Sequence, residues 1–160
     1  MSIIDIEHFA LQLGAHLQQQ GWYLVTAESC TGGWLAEAVT SVAGSSAWFD
    51  RGFVTYSEAA KQEILAVKAA TLAQHGAVSE ATVLEMVEGA LARSRAQVGV
   101  AVSGIAGPSG GTLDKPVGTV WIAYALPHRI YAQKSFFSGD RRSIREQAVI
   151  TALQRLTQGL

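Results

Sequence analysis

Three consecutive residues with nucleophilic side chains, Ser29, Cys30 and Thr31, form the part of this sequence best suited to chemistry. They belong to the segment TAESCTGG, residues 26–33, which reads as a tight turn. A thiol is intrinsically a better nucleophile than a hydroxyl, so chemistry alone does not select the serine. The alternative is that Ser29 or Thr31 only caps the following helix while Cys30 is a small packed residue.

The elements on either side of this turn would hold it at one end of a β-sheet. The apolar run WYLV, residues 22–25, predicts a strand, and WLAEAV, residues 34–39, predicts a helix. A strand, a tight turn and a helix are the arrangement by which α/β enzymes expose a reactive group. The start of the helix offers free N–H groups and a positive dipole end, which hold either a phosphate or a developing oxyanion.

The composition limits the class of protein. The chain has 160 residues, 49% apolar and 16% charged, which indicates a single globular domain over residues 1–160. A net charge of −1 gives no electrostatic reason to expect a nucleic-acid partner. No apolar run approaches a membrane span and the N-terminus lacks a basic signal-peptide start, so we expect no membrane partner.

The cysteine and histidine content bears on compartment and metal binding. Cys30 is the single cysteine, so no internal disulfide forms, and we expect a cytoplasmic protein. The four histidines lack the spacing of metal ligands, and we therefore predict no metal site.

Periodicity and capping residues predict the remaining elements and the fold class. Helices are expected over residues 4–20, 58–65, 79–95 and 141–156, the last three behind caps at Ser57, Ser79 and Ser138-Gly139-Asp140. Strands are expected over residues 48–57, 97–103, 117–125 and 129–137, the last two as a hairpin. The order of elements predicts an α/β fold, a three-layer α/β/α sandwich with a mixed central sheet.

Six motifs, in order along the chain, resemble those of the CinA C-terminal domain family. They are AESCTGG at 27–33, GFVTYS at 52–57 with Lys61, HGAVS at 75–79, SGIAGPSGG at 103–111, KPVGTV at 115–120, and SGDR at 138–141 with Arg145. The resemblance covers nearly the whole chain. It implies an amidohydrolase that converts nicotinamide mononucleotide and water to nicotinic acid mononucleotide and ammonia without a cofactor. Larger members of the family carry an additional N-terminal domain, and this sequence corresponds to the deamidase-like domain.

The resemblance places the nucleophile at Ser29, and a serine needs a base. Lys61 is a better candidate than His75, which precedes Gly76 at an expected helix end and is interpreted as structural. An amine acts as a base only when neutral, so the site must lower its pKa by several units from about 10.4. Burial and the nearby helix start would both lower it. The alternative for Lys61 is a solvated surface lysine.

Two further residues flank this pair. Tyr56 is a candidate to relay or position a proton, and the alternative is an aromatic residue that fills the core at a strand end. Glu28 would orient Lys61 or bind a ribose hydroxyl, or else serve only as a carboxylate at the helix entry. Backbone amides of the turn are expected to hold the oxyanion. The turn residues assigned to substrate binding are Cys30, Thr31, Gly32 and Gly33.

Two features are candidates for binding the phosphate. The glycine-rich loop after the predicted strand lets backbone N–H groups approach an anion, yet it matches neither a Walker A motif nor G-x-G-x-x-G. Arg141 and Arg145 share one face near the start of the last helix, where a guanidinium pair could clamp a phosphate. The alternative is an exposed pair bridged to Glu146 or Asp140. The loop residues assigned to the substrate are Ser103, Gly104, Gly107, Gly110 and Gly111.

Other functions stay open from the sequence. One is a non-catalytic nucleotide-binding module, and another is an assembly domain linked to competence and DNA damage, as the family name suggests. The co-occurrence of Ser29, Tyr56 and Lys61 favours the enzyme. We also expect a homo-oligomer, for which Trp34, Trp48 and Phe49 are candidate contacts, although core packing explains these aromatic residues equally well.

Overall fold

The computed structural model describes residues 3–160 as an α/β fold built on one five-stranded sheet. The helices and strands, in chain order, are α1 Ile3–Gln20, β1 Leu24–Glu28, α2 Trp34–Thr40, β2 Phe49–Val54, α3 Glu58–Leu65, α4 Ala69–His75, α5 Glu80–Ala92, β3 Val98–Gly104, β4 Thr119–Leu126, β5 Arg129–Phe136 and α6 Arg141–Gly159. A short 3₁₀ turn over Ser45–Ala47 precedes β2.

The sheet is mixed, with the strand order β2-β1-β3-β4-β5. β1 pairs in parallel with β2 and β3, whereas β3–β4 and β4–β5 are antiparallel. The carboxyl ends of the three parallel strands therefore meet at one edge, and residues that follow Glu28, Val54 and Gly104 lie close together. The turn that follows β1 lies at this edge, where open α/β sheets bind their ligands.

Helices cover both faces of the sheet, which confirms the three-layer α/β/α prediction. Residues such as Leu24 and Val100 pack with α1, α2 and α6, while their neighbours Val25 and Ala101 pack with α3, α4 and α5. Successive side chains of a strand point to opposite faces, so adjacent residues enter different cores. All four are almost fully buried because both faces are covered.

The predicted helix caps are confirmed. The side chains of Ser57, Ser79 and Asp140 each accept a hydrogen bond from the N–H three residues on, at 3.0, 3.2 and 2.8 Å. Each cap satisfies an N–H that the helix itself leaves without an acceptor. These caps fix the first residues of α3, α5 and α6, two of which carry candidate site residues.

Two local features differ from the sequence-based expectation. The strand predicted to reach residue 57 ends at Val54, and the chain turns across the sheet edge, where the Thr55 N–H donates to the Glu28 carbonyl at 2.8 Å. For the helix Ala69–His75 the sequence predicted only an end at His75 and no start, because Lys68 provides no side-chain cap and the segment has only seven residues. Burial of Leu72 against α5 accounts for its stability.

The aromatic residues considered for a subunit contact belong to the core. Trp48 is 2% exposed, and a Cβ added at Gly14 would lie 2.6 Å from its indole ring. Trp34 and Phe49 pack against the same core cluster. Core packing therefore explains these three side chains, and the homo-oligomer stays a prediction.

Candidate active site

The side chains of Ser29 and Lys61 meet at the sheet edge. Lys61 Nζ lies 2.9 Å from Ser29 Oγ. Ser29 directly follows β1, and Lys61 is the fourth residue of α3. The exposed fractions are 7% for Ser29 and 1% for Lys61. The solvated surface lysine considered above is therefore wrong for Lys61.

The other contacts of Lys61 suit a neutral amine. Its Nζ lies 2.8 Å from the Thr55 carbonyl oxygen and 3.2 Å from that of Tyr56. A neutral amine has two N–H bonds and one lone pair. In the structure Lys61 Nζ also donates to Ser29 Oγ, and the Ser29 hydroxyl donates to the Tyr56 carbonyl at 3.4 Å. A neutral amine that keeps its two N–H bonds on the carbonyls instead directs its lone pair at the Ser29 hydroxyl, as a base requires.

Burial also favours the neutral form of Lys61. Loss of hydration lowers the pKa of the Lys61 ammonium, and negative charge on Cys30 and on the Glu58 carboxylate opposes this decrease. The start of α3 contributes in the same direction as burial, because a positive dipole end repels an ammonium. Lys61 is thus neutral, and available to accept a proton, at a lower pH than an exposed lysine is.

A close helix contact fixes the position of α3. Gly89 of α5 lies against the Leu65 carbonyl at the end of α3, and a Cβ added to Gly89 would collide with that oxygen. Only glycine permits the two backbones to approach so closely. This contact holds α3, and with it Lys61, against the sheet.

Glu28 satisfies the start of α2 instead of contacting Lys61. Its buried carboxylate accepts hydrogen bonds from Thr31 Oγ1 at 2.6 Å, from the Leu35 N–H at 2.8 Å and from the Ala36 N–H at 3.1 Å. These donors include two that the helix leaves free, and a carboxylate at this end is favoured by the dipole. Of the predicted roles for Glu28, the structure supports the helix-entry carboxylate.

The two glycines give the nucleophile turn its shape. Gly32 and Gly33 have φ angles of 61° and 102°, and the Trp34 N–H donates to the Thr31 carbonyl at 3.0 Å. Two central residues with positive φ are typical of a type I′ turn, which favours glycine. The turn brings the start of α2 directly behind Ser29.

Cys30 is a poor candidate for the nucleophile at neutral pH. Burial, reinforced by the Glu28 carboxylate, raises the pKa of its thiol to about 11. The thiolate, not the thiol, is the reactive form. The Lys61 amine, the candidate base, contacts the neighbouring Ser29 hydroxyl, which supports Ser29 over Cys30.

A cavity of about 200 Å³ opens onto Ser29 and Lys61. The side chains and backbone that line it belong to Ser29, Cys30, Tyr56, Lys61, Ala77, Val78, Ser103, Gly104, Ala106 and Arg141. With Lys61 neutral, Arg141 is the positively charged residue of this lining, and no lining residue carries a carboxylate. The cavity is therefore suited to a negatively charged ligand.

Arg141 and Tyr56 meet at the mouth of this cavity. Arg141 donates to the Gly107 carbonyl at 2.7 Å and to the Tyr56 hydroxyl at 3.1 Å. Tyr56 is 61% exposed, so it does not fill the core. Its hydroxyl bonds to Arg141, and its backbone carbonyl is the part hydrogen-bonded to Lys61. This geometry gives no contact by which the phenol would relay a proton from Lys61.

The second predicted arginine lies elsewhere. Arg145 donates to the Cys30 carbonyl at 3.0 Å and to the Thr31 carbonyl at 3.3 Å, and it does not line the cavity. Within residues 3–160 no ion pair joins Arg141 or Arg145 to an acidic side chain. Arg141 alone of the pair therefore faces the cavity.

The glycine-rich loop contributes only in part. Ser103 and Gly104, at the end of β3, line the cavity, and Gly107 supplies the carbonyl bound by Arg141. Gly110 and Gly111 do not line it. The predicted anion cradle over the whole loop is thus reduced to its first residues.

Three cavity residues were not predicted as site residues: Ala77, Val78 and Ala106. Ser103 Oγ donates to the Ala77 carbonyl at 2.8 Å and ties this segment to the end of β3. Ala77 and Val78 lie within the HGAVS motif, which carried the family resemblance but received no role. Small apolar side chains have no chemistry of their own, so the motif was the single available signal.

A larger cavity of about 370 Å³ lies beside the first one and shares Val78 with it. It contains neither Ser29 nor Lys61, and basic and acidic side chains both line it, so we assign the chemistry to the smaller cavity. Among the described residues, no three of His, Cys, Asp and Glu are grouped so that they could hold a metal ion. In the same part of the chain, no helix has the length and apolar character needed to cross a membrane.

Comparison with known protein families shows which family this chain belongs to. The model of the CinA C-terminal domain matches residues 6–160. The chain belongs to the CinA C-terminal domain family. The match includes most of α1, all later elements of the fold and the Ser29–Lys61 site.

Curated CinA-family relatives include enzymes of similar length. The chain is 54% identical to nicotinamide-nucleotide amidohydrolase PncC of Enterobacter agglomerans, over 96% of this chain and 94% of the relative. It is 52% identical to nicotinamide-nucleotide amidohydrolase PncC of Escherichia coli K12, over 99% and 96% of the two chains.

Solved structures of CinA-family proteins share the fold. A competence/damage inducible protein, CihA, from Agrobacterium tumefaciens superposes with a TM-score of 0.93 at 47% identity, covering 96% of this chain and 94% of that one. A CinA superfamily protein from Escherichia coli gives a TM-score of 0.95 at 38% identity, covering 100% and 94%. These similarities confirm the α/β fold.

Proposed function

We propose that this chain is a nicotinamide-nucleotide amidohydrolase that converts nicotinamide mononucleotide and water to nicotinic acid mononucleotide and ammonia. The observation that carries the proposal is the buried Lys61 amine 2.9 Å from Ser29 Oγ, at a cavity that also contains Arg141. Relatives more than half identical over nearly their full length bear the name of this enzyme. The substrate's primary amide requires a nucleophile and a base, and its phosphate requires a cationic group.

The first half of the reaction forms an ester on Ser29. Neutral Lys61 takes the hydroxyl proton as Oγ attacks the amide carbon, and the carbonyl oxygen becomes an oxyanion. Unpaired N–H groups of the turn stabilise this charge. The Lys61 ammonium then gives its proton to the departing nitrogen, and ammonia leaves.

The second half hydrolyses the ester. Water takes the place of ammonia, and Lys61, again neutral, removes a proton from it as the oxygen attacks the ester carbon. The tetrahedral intermediate collapses, the Ser29 oxygen leaves and recovers a proton from Lys61, and nicotinic acid mononucleotide is released. Atoms and charges balance with water as the only co-reactant.

Arg141 is the proposed partner of the substrate phosphate. It lies at the cavity mouth on the first residue of α6, so the positive helix end and the guanidinium favour the same anion. Hydrogen bonds to the Gly107 carbonyl and to the Tyr56 hydroxyl hold the guanidinium of Arg141 in place. A nucleotide substrate and the reduced, buried Cys30 both fit the cytoplasmic location predicted from the sequence.

A non-catalytic nucleotide-binding module is the main alternative. Such a module has no need for a fully buried lysine, which costs folding stability because the amine loses its hydration. The lowered pKa of Lys61 at a cavity is typical of a catalytic base. The buried Ser29–Lys61 pair therefore favours the enzyme.

The decisive experiment is incubation of the purified protein with nicotinamide mononucleotide, with ammonia and nicotinic acid mononucleotide measured in parallel. We expect stoichiometric formation of both products, and slower turnover of nicotinamide riboside, which lacks the phosphate. Binding of the mononucleotide without release of ammonia would identify the chain as a binding module and reject the enzyme.

Hydroxylamine distinguishes the covalent mechanism from direct attack by water. An ester on Ser29 would partition between water and hydroxylamine, so part of the product should be the hydroxamate of the nucleotide. The hydroxamate fraction should rise with hydroxylamine concentration. Ammonia release without any hydroxamate would support direct attack by water and remove Ser29 from the nucleophile role.

A further inference from the structure

The HGAVS segment, residues 75–79, joins α4 to α5 and passes between two cavities. Ala77 lines only the cavity of about 200 Å³ at Ser29 and Lys61, and Ser79 lines only the cavity of about 370 Å³ beside it. Val78 lines both, and among the described residues it is the only one that the two linings share. The chain therefore crosses from one cavity to the other at Val78.

Hydrogen bonds from side chains hold the beginning of this segment. Gly76 ends α4 with a φ angle of 80°, a backbone conformation that favours glycine. The His75 carbonyl accepts a hydrogen bond from Lys115 Nζ at 2.6 Å. The Gly76 carbonyl accepts two, from Ser79 Oγ at 2.9 Å and from Thr82 Oγ1 at 2.7 Å. The chain before Val78 is thus attached both to α5 and to the loop that carries Lys115.

The two residues that flank Val78 are attached as well. The Ala77 carbonyl accepts a hydrogen bond from Ser103 Oγ at 2.8 Å, which ties it to the end of β3. Ser79 Oγ accepts one from the Thr82 N–H at 3.2 Å as the cap of α5. Val78 cannot move away from the cavities without breaking such bonds. A wall that does not yield is what discrimination between ligands by size requires.

The wall limits the width of the smaller cavity. At about 200 Å³ this cavity is smaller than typical small-molecule sites, which occupy about 300–1,000 Å³. In the proposed reaction the amide lies at Ser29 and the phosphate at Arg141, so the aromatic ring of the substrate lies between these two groups. Little width remains there for a second ring, and the larger cavity begins on the other side of Val78.

We propose that Val78 is a specificity-determining residue whose side chain closes the Ser29–Lys61 cavity against the larger cavity and restricts the enzyme to amides of a single, unfused aromatic ring. This inference rests on the proposed function and deepens it by naming what limits the substrate. One methylene group in a hydrophobic pocket typically changes discrimination by about 10- to 200-fold. Loss of the two Val78 methyl groups should therefore join the two cavities and admit wider groups.

Sulfonyl fluorides test this wall without the nucleotide. Ser29 Oγ displaces fluoride from sulfur, the hydroxyl proton passes to Lys61, and an O–S bond replaces the S–F bond. Because the same small fluoride ion leaves in every case, only the sulfonyl substituent changes in size. The probes are methanesulfonyl fluoride and naphthalene-2-sulfonyl fluoride, and mass spectrometry measures the rate of labelling at Ser29. Ser29→Ala gives the background from other residues.

The expected result is a change in the ratio of the two labelling rates. Val78→Ala should raise the naphthalene rate relative to the methane rate by about 10-fold or more over the wild type. Val78→Thr keeps the branched shape of the side chain and should keep the wild-type ratio. Val54→Ala is the matched control, because Val54 is 49% exposed and lines neither cavity. It should also keep the wild-type ratio.

A pair of nucleotides tests the same wall in turnover. The mononucleotide of quinoline-3-carboxamide carries a second ring fused to the pyridine ring. The preference in kcat/KM for nicotinamide mononucleotide over this analogue should fall by about 10-fold or more in Val78→Ala and stay unchanged in Val54→Ala. If nicotinamide mononucleotide is not hydrolysed at all, the sulfonyl fluorides still report on Val78, which separates failure of the two proposals.

Three outcomes would overturn the inference. One is the same ratio of labelling rates in the wild type and in Val78→Ala. Another is faster labelling of Val78→Ala by both probes alike, which would assign Val78 an effect on the reactivity of Ser29 and not on size. Should Val78→Ala fail to fold, Val78→Ile tests the opposite direction. Its extra methylene should slow labelling by benzenesulfonyl fluoride and not by methanesulfonyl fluoride, and unchanged rates with both would be the third contradiction.

Discussion

Lys61 Nζ lies 2.9 Å from Ser29 Oγ, although the two residues are 32 positions apart and belong to different elements. The pairing results from the parallel arrangement of β1 and β2, which brings the start of α3 beside the turn after β1. The Thr55 and Tyr56 carbonyls occupy the other hydrogen-bonding directions of the amine. The lone pair of a neutral Lys61 thus has one remaining target, the serine hydroxyl.

Ser29→Ala and Cys30→Ala distinguish the nucleophile from its neighbour. Ser29→Ala should reduce kcat by about 10³-fold or more, since removal of a nucleophile leaves only the contributions of binding and the oxyanion site. Cys30→Ala should retain most of the activity, because the pKa of about 11 keeps its thiol protonated. Ammonia release under saturating nicotinamide mononucleotide is the measurement.

The opposite pattern is informative for the same pair of variants. Normal turnover in Ser29→Ala with loss in Cys30→Ala would move the nucleophile to the thiol. Because both residues are buried, circular dichroism is needed to check that each variant is still folded.

The pH dependence of kcat/KM should report the ionisation of Lys61. Activity should rise with pH as the ammonium loses its proton and should level off above the pKa, which burial holds below that of an exposed lysine. The Glu58 carboxylate raises the pKa of Lys61, so Glu58→Gln should lower that pKa further. The rising limb of the profile should therefore shift to lower pH in Glu58→Gln.

Glu63 is a matched control for this shift. It lies on the same helix but does not contribute to the pKa shift of Lys61. Glu63→Gln should leave the rising limb in place. An identical shift in both variants would attribute the effect to the net charge of the protein and not to the proximity of Glu58.

Arg141→Ala should selectively weaken binding of the phosphorylated substrate. A charge-assisted hydrogen bond is worth roughly 1.5–3 kcal/mol, so KM for nicotinamide mononucleotide should rise about 10- to 100-fold. The same change should have little effect on nicotinamide riboside, which has no phosphate. Equal losses with the two substrates would indicate that Arg141 supports the cavity mouth through Gly107 and Tyr56 and does not bind the phosphate.

Gly89→Ala should destabilise the fold at the crossing of α3 and α5. The added Cβ would collide with the Leu65 carbonyl oxygen, and backbone that must move to accommodate a methyl group typically costs about 1–3 kcal/mol. The midpoint of urea unfolding should decrease accordingly. Turnover should also fall under folding conditions, because α3 carries Lys61.

The exposed Glu88 lies next to Gly89 on α5 and provides the control, since Glu88→Ala introduces no contact with α3. It should leave the midpoint of urea unfolding nearly unchanged. A Gly89→Ala variant as stable and as active as Glu88→Ala would show that the two helices can separate without cost.

The sequence by itself determined most of the elements, though not α4 or the end of β2, and the residue types of the site. Alternating and helical periodicities, together with the caps at Ser57, Ser79 and Asp140, gave the sandwich because these signals depend on neighbouring residues. The motif around Ser29, with Lys61 further along, gave the chemistry. The types of these site residues and their order along the chain can be read directly from the sequence.

Tertiary structure decided which of these groups meet. Arg141 and Arg145 lie on one face of α6, yet one faces the cavity and the other the rear of the turn, because one helical turn separates them along the sheet edge. From the sequence, Glu28 was equally suited to orient Lys61 or to serve as a carboxylate at the start of α2. The position of α2 puts the Leu35 and Ala36 N–H groups against the Glu28 carboxylate, so the second role applies. Burial of Lys61, which lowers its pKa, depends on α5 holding α3 against the sheet, a contact no local pattern could reveal.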